Sequence, residues 1–435
     1  MNKQKKLTLS EVEGVVPELR FPEFKDDEQW RIEQLGEIGK PLMCKRIFKE
    51  QTTTNSKDAI PFYKISTFGR EPDAFIPLEL YNEYKKKYFF PNIGDILISA
   101  SGTIGRLVVF DGVDAYFQDS NIVWIGNDET QITNTLLYYC YSNLVWQTSD
   151  GGVIKRLYNS DLKKIEINFP KNPKEQQKIA NCLSSLDQLI TAETDKLDLL
   201  QDHKKGLLQQ LFPAHGETKP HYRFPEFKND GDWYTDSLGS LVEIKGRIGY
   251  RGYTNKDIVA KGEGAITLSP SNFDKNGKLV FEKNTYISWE KYDESPEIML
   301  EEGQTVLVKT ASVGKSAYVC DLPEKTTVNP QVVVLKPQKI EPRFLAYTIY
   351  HNYVQSQIIE NIGAGAIPNM SQASIANFKI LLPPDRDQKE QQKIANCLSS
   401  LEKLIEAQET RIKNLKKHKK GLMQKLFPDA NELTV

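Results

Sequence analysis

KEQQKIANCLSSLDQLITAETDKLDLLQDHKKGLLQQLFP, Lys174 to Pro213, occurs twice in this chain, the second time from Lys389 to Pro428. EQQKIANCLSSL is identical in both copies and so is HKKGL, at a constant offset of 215 positions (389 − 174). Ile179, Leu183, Leu186, Ile190, Leu197, Leu200, Leu207 and Leu211 recur at spacings of four and three, a heptad seam. Glu193 and Lys204 are its polar breaks. The second copy repeats the seam with Ile394, Leu398, Leu401, Ile405, Ile412, Leu415, Leu422 and Leu426, broken at the matching Gln408 and Lys419. Helix formers dominate and proline appears only at the end, so each copy reads as one helix about 55 Å long at roughly 1.5 Å per residue. Such a seam needs a partner. The first copy carries five Lys against six acids and the second ten Lys or Arg against four, so pairing the copies with each other is electrostatically better than pairing the second with itself. Gly206 and Gly421 interrupt both helices at matching places and are expected to mark a bend or a close crossing.

The duplication extends outward from the helices. LRFPEFKDDEQWRIEQLGEI, from Leu19, matches YRFPEFKNDGDWYTDSLGSLVEI, from Tyr222, in RFPEFK, a Trp and Leu-Gly. GDILISASGTIGRLVVF, from Gly94, faces GQTVLVKTASVGKSAYV, from Gly303, each an apolar run, a small-residue turn and a second strand. QDSNIVWI, from Gln118, faces VNPQVVVL, from Val328, and GGVIKRLYNSDLKKIEINFP, from Gly151, faces GAGAIPNMSQASIANFKILLPP, from Gly363. Strand-sized runs with helical stretches at Asn134 to Thr148 and Pro342 to Ile359 argue for a mixed α/β globule in each half, an α+β chain overall. The expected order is a first globule over 17–173, a first long helix over 174–213, a second globule over 220–386 and a second long helix over 387–428, the helices pairing as an intramolecular coiled coil.

At 435 residues more than one core is expected. The basic start has no apolar stretch behind it and no run approaches membrane-spanning length, which predicts a cytoplasmic protein with no membrane partner. Five scattered cysteines without a C-x-x-C pair read as core thiols. A net charge of −1 lacks the global basic footprint of many nucleic-acid binders, though local basic faces remain open.

Catalytic signatures are sparse. Gly314-Lys315-Ser316 resembles the end of a phosphate-binding loop, but Lys309 stands where that loop needs a glycine. No nucleophile elbow, H-E-x-x-H or G-x-G-x-x-G occurs. His203, His215, His221, His351 and His418 lack metal-ligand spacing, and Asp385, Asp387 and Glu390 read as the acidic opening of a helix. What recurs in both halves is loops rich in Gly, Ser, Asn, Arg, Lys and Tyr between strands. Such side chains bond base edges and phosphates, and small residues admit phosphate to backbone N–H groups. The candidate DNA-contacting residues are Lys45, Arg46, Thr67, Arg70, Ser101, Thr103, Arg106, Lys155, Arg156, Tyr158 and Asn159 in the first half. In the second they are Arg247, Tyr250, Arg251, Tyr253, Ser271, Asn272, Lys309, Ser312, Lys315 and Asn369. KGRIGYRGY, Lys245 to Tyr253, is the most basic and aromatic of these loops.

The W-x-x-x-x-LG openings, Trp30 to Gly36 and Trp233 to Gly239, the GDILIS-x-SGTIG turn and the EQQKIA helix, preceded by proline and ending KKGLLQQLF in its first copy, together resemble the specificity (S) subunit of bacterial type I restriction-modification enzymes. The resemblance covers nearly the whole chain. It implies two target recognition domains held apart by antiparallel helices and reading a split, asymmetric site in double-stranded DNA. It also implies two modification subunits that carry S-adenosylmethionine and methylate adenine N6, and restriction subunits that use ATP and Mg to cut. The chain itself is expected to be non-catalytic and to hold no cofactor or metal. The exposed helix faces and the RFPEF segments are the expected docking surfaces. KRLYN, Lys155 to Asn159, lacks the Pro-Asn of Pro368-Asn369, which puts equivalent contacts from those two loops in question. Two other readings compete: a nuclease or methyltransferase acting alone, opposed by the missing motifs, and a tandem protein- or carbohydrate-binding scaffold, opposed by the loop chemistry.

Overall fold

The computed structural model describes residues 15–146, 156–274, 276–362, 368–384 and 387–428, with Tyr250 described in its backbone alone. It divides into two compact units, Met1–Thr194 with Arg411–Val435, and Asp195–Thr410.

The duplicated stretches are continuous helices, Pro173–Leu211 and Lys389–Leu426, and each unit holds a part of both. Their seams are turned inward: Ile179, Leu183, Leu211, Ile394, Leu398, Leu401, Ile405, Ile412 and Leu426 are buried, each worth about 1.5–3 kcal/mol relative to exposure. The polar breaks are the points where the helices bond each other. In the first unit Arg411 pairs with Glu193 at 2.8 Å and Lys419 pairs with Asp187. In the second, Lys204 pairs with Glu402 at 2.7 Å. Since residue numbers rise on one helix as they fall on the other, the helices run antiparallel. Tyr139 donates to Asp187 and Tyr347 to Glu402, both at 2.8 Å, so each globule is tied to the same helix position. The expected close crossing at Gly206 and Gly421 is absent, since an added Cβ would meet nothing within 4 Å at either glycine.

In the first unit a four-stranded sheet carries the frame, in the order Gly39–Leu42, Ile122–Asn127, Ile96–Ser99 and Leu107–Val109, all antiparallel. Ile96–Ser99 is buried along its whole length, as the apolar run Ile96 to Ile98 requires, and the buried Ser99 hydroxyl donates to the Thr103 carbonyl. Beside it, Phe75–Pro77, Ala59–Tyr63 and Tyr116–Phe117 form a smaller sheet whose last pairing is parallel. The second unit repeats the frame with Val242–Gly246, Val332–Pro337, Thr305–Val308 and Ser316–Tyr318. Its second sheet has four strands, Ile258–Val259, Thr285–Ser288, Gly264–Leu268 and Thr326–Val328. The helix expected over Pro342 to Ile359 is two, Pro342–Tyr350 and Asn352–Glu360, because His351 is extended and its Nδ1 accepts the Tyr353 amide as a cap.

The RFPEF motifs have a structural task. Arg20 makes a bidentate bond to Glu175 at 2.7 and 2.8 Å, both side chains almost fully buried, and Trp30 Nε1 donates to the same carboxylate at 3.2 Å. Arg223 grips Glu390 in the same way in the second unit. These carboxylates raise the pKa of both guanidiniums, chiefly through the hydrogen bonds. The arginines of the expected docking segments are therefore committed to holding each globule on the start of its helix. Of the cysteines, Cys44 and Cys140 are buried as expected, whereas Cys182, Cys320 and Cys397 are only partly so.

Candidate nucleic-acid interface

In the first unit the separate sequence loops converge on one short segment, Gln118 to Asn121, at the entrance of the strand Ile122–Asn127. Ser101 Oγ donates to Asn121 Oδ1 at 2.8 Å, Arg156 Nη2 to the Ser120 carbonyl at 2.7 Å and Arg46 Nε to Asp119 Oδ2 at 2.9 Å. The Ile65 amide donates to Gln118 Oε1 at 3.0 Å, which brings the Thr67–Arg70 loop to the same place. Arg106 Nη1 donates to the Phe68 carbonyl at 2.7 Å and ties the turn after Ile96–Ser99 to that loop. Arg70, Thr103, Tyr158 and Asn159 are exposed around this cluster. Lys45 lies over the Tyr88 ring at 5.2 Å, and Arg156 over that of Tyr158 at 6.0 Å. Thr67 is buried, its hydroxyl bonded to the Lys64 amide and carbonyl, so it shapes the loop from within. Lys155 lies outside the described residues.

The organising segment itself went unnoticed in the sequence beyond its match as a strand. Its signal is there, since Asp119, Ser120 and Asn121 are three polar residues set directly before the apolar run Ile122 to Ile125 that opens the strand. Ser120 adopts φ 53°, a left-handed conformation that turns its carbonyl toward Arg156.

The second unit builds the same corner with other side chains. The Lys309 amide donates to the Gln331 carbonyl at 2.8 Å, as Ala100 does to Asn121 at 2.7 Å. Thr310 bridges to Asn369, as Ser101 does to Arg156, and Thr310 Oγ1 donates to Asn369 Oδ1 at 2.7 Å. Arg156 and Asn369 thus occupy equivalent backbone positions despite the missing Pro-Asn, with different side chains at that place. Ser312 and Lys315 are exposed, and Lys309 is half-buried, at the turn. Ser271 is exposed and bonds Ser269 through their hydroxyls, 2.7 Å apart. Asn272 is buried and spans Ser269, Val280 and Asn284.

In the basic, aromatic KGRIGYRGY loop, Arg247 is buried. It donates to the Val328 carbonyl at 3.1 Å and to the Arg251 carbonyl at 3.3 Å, over the Tyr253 ring. Burial lowers its pKa. It braces the loop against the strand Thr326–Val328, while Arg251 reaches Glu297 at 3.4 Å. Among the described residues, no group of three His, Cys, Asp or Glu is placed to hold a metal, and no helix is long and apolar enough to cross a membrane.

Comparisons with known proteins agree with this arrangement. The family described as "Type I restriction modification DNA specificity domain" matches residues 27–202 and 208–417. A putative type I restriction enzyme specificity subunit of Haemophilus influenzae is 53% identical over 173 residues, which span 40% of this chain and 44% of that protein. The putative MjaX specificity subunit of Methanocaldococcus jannaschii is 26% identical over 426 residues, 92% of this chain and 93% of that one. In fold, the crystal structure of a type I restriction-modification S subunit from M. genitalium covers 95% of this chain and 100% of its own, with TM-score 0.59 and 17% identity. Two matched domains, two corners built on one duplicated frame and the duplicated helices have one account: the chain belongs to the family of type I restriction-modification DNA specificity subunits.

Proposed function

We propose that this chain reads an asymmetric, two-part site in double-stranded DNA, one half-site per globule, and presents it to two modification subunits for adenine N6 methylation and to restriction subunits for cleavage. S-adenosylmethionine, ATP and Mg belong to those partners. The globules correspond to 17–173 and 220–386, joined to helices over 174–213 and 387–428. The observation that carries the reading is the corner itself, where one backbone frame in both units gathers Ser101, Asn121 and Arg156 in one, with Ser101 buried against Asn121, and Thr310, Gln331 and Asn369 in the other. A shared frame with different hydrogen-bonding side chains suits two different sequences of bases. Arg46, Arg70, Thr103, Arg106, Tyr158 and Asn159 are the candidates at the first corner and Lys309, Ser312 and Lys315 those at the second, with Arg251 and Ser271 on other loops of the same unit. Thr67, Arg247 and Asn272 act from inside, by setting loop shape. The test is co-expression with a type I modification subunit followed by mapping of methylated adenines. A single bipartite motif, whose halves change separately when the globules are exchanged, is the expected result; a stable complex that leaves DNA unmethylated overturns it.

A further inference from the structure

Residues 411–425 of the second long helix hold seven Lys or Arg and no Asp or Glu. Three of these cations are committed, Arg411 to Glu193, Lys419 to Asp187 and Lys425 to Glu18. The other four, Lys413, Lys416, Lys417 and Lys420, are exposed and have no ion-pair partner among the described residues. Spaced by three, one and three positions, they share one stripe of the helix surface, where like charges three and four apart repel. The stripe is not part of the duplicated packing: its counterparts on the first helix are Asp198, Gln201, Asp202 and Lys205.

The duplication also shows which way the stripe faces. Lys205, the counterpart of Lys420, lines one cleft in the second unit with Lys315 and Ser316 of the recognition turn. In that unit Leu208 packs in one core with Val313 of the turn; in the first, Met423, the counterpart of Leu208, packs in one core with Ile104. Lys420 therefore stands on the flank of the helix nearest the turn Ser101 to Arg106, and the other three lysines continue along the helix from it. A row of uncompensated ammonium groups leading away from a base-reading turn matches the phosphate row of a duplex, which continues past the bases being read.

We propose that Lys413, Lys416, Lys417 and Lys420 bind the DNA phosphate backbone beside the half-site read by the first unit and supply affinity without sequence preference. This rests on the DNA-specificity reading above. The experiment compares the wild-type complex with modification subunits against Lys413→Gln/Lys416→Gln/Lys417→Gln/Lys420→Gln, measuring affinity for cognate and unrelated duplexes across a salt series. At about 0.9 in slope per phosphate neutralised, the quadruple variant should lose up to about 3 to 4 from the salt slope and weaken equally on both duplexes, with its methylation motif unchanged. Asp198→Lys with Asp202→Lys should steepen the slope instead. An unchanged slope in the quadruple variant overturns the stripe's role. Failure of that variant to assemble, with DNA binding by the isolated chain intact, overturns it in favour of an acidic protein surface. A wild-type complex whose binding ignores salt overturns the DNA reading as well.

Discussion

Gly102 and Ala311 hold the same place in the turns that follow Ile96–Ser99 and Thr305–Val308, at φ 64° and 65°. Only glycine takes that conformation freely; for alanine it costs roughly 1–2 kcal/mol, partly offset because alanine loses less chain entropy on folding. Ala311→Gly should therefore stabilise the chain by about 0.5 kcal/mol net, read from urea unfolding, and a loss of stability would show that the turn is unstrained. Arg70 is exposed beside the first corner, so Arg70→Ala should cost about 1–3 kcal/mol in cognate binding and relax one position of the first half-site alone. His351 is buried, stacked on Phe212 at 5.1 Å, and desolvation lowers its pKa from 6.5 to about 4. The unfolded chain then binds the proton more readily, so this contribution to stability is complete above pH 6.5 and is lost as pH falls toward 4. Roughly 3 kcal/mol should disappear over that window, and His351→Gln should flatten the pH dependence of unfolding.

The long helices were legible at the level of the element because a repeated heptad seam is a local, periodic signal. What their breaks did was not, because Lys204 finds Glu402 and Lys419 finds Asp187 across long stretches of chain. These partly buried pairs penalise a shift of either helix by one heptad, which would leave a charge facing leucine. Asp187→Lys should destabilise by about 1–3 kcal/mol, and adding Lys419→Asp should recover part of it in a double-mutant cycle; no recovery would mean that the pair sets no register. Gly206 and Gly421 show the reverse case, a sequence signal with no packing behind it. Because open space surrounds both, Gly206→Ala and Gly421→Ala should each stabilise by about 0.5–1 kcal/mol. Thermal unfolding checks this, and a lowered melting temperature would restore the idea of a required bend.

For the molecule as a whole, each globule is locked to its helix by one buried arginine. Arg20→Ala would leave the buried Glu175 carboxylate without its cation and with the Trp30 Nε1 bond, a loss of roughly 3–5 kcal/mol measurable by denaturant unfolding. Arg223→Ala should match it through Glu390. The duplication, the helices, the strand frame and the family were all determined by the sequence alone, because periodicity and repetition are written along the chain. Which loop residues are available to DNA was decided by tertiary structure. Arg247 reads in the sequence as one of several DNA-contacting candidates and is a buried brace, Arg20 belongs to an expected docking segment and clamps a helix, and Asp119 to Asn121, read as the start of a strand, gather the loops of the first corner. Each outcome depends on which distant backbone carbonyl or carboxylate lies within about 3 Å of a side chain, and only the folded chain brings those groups together.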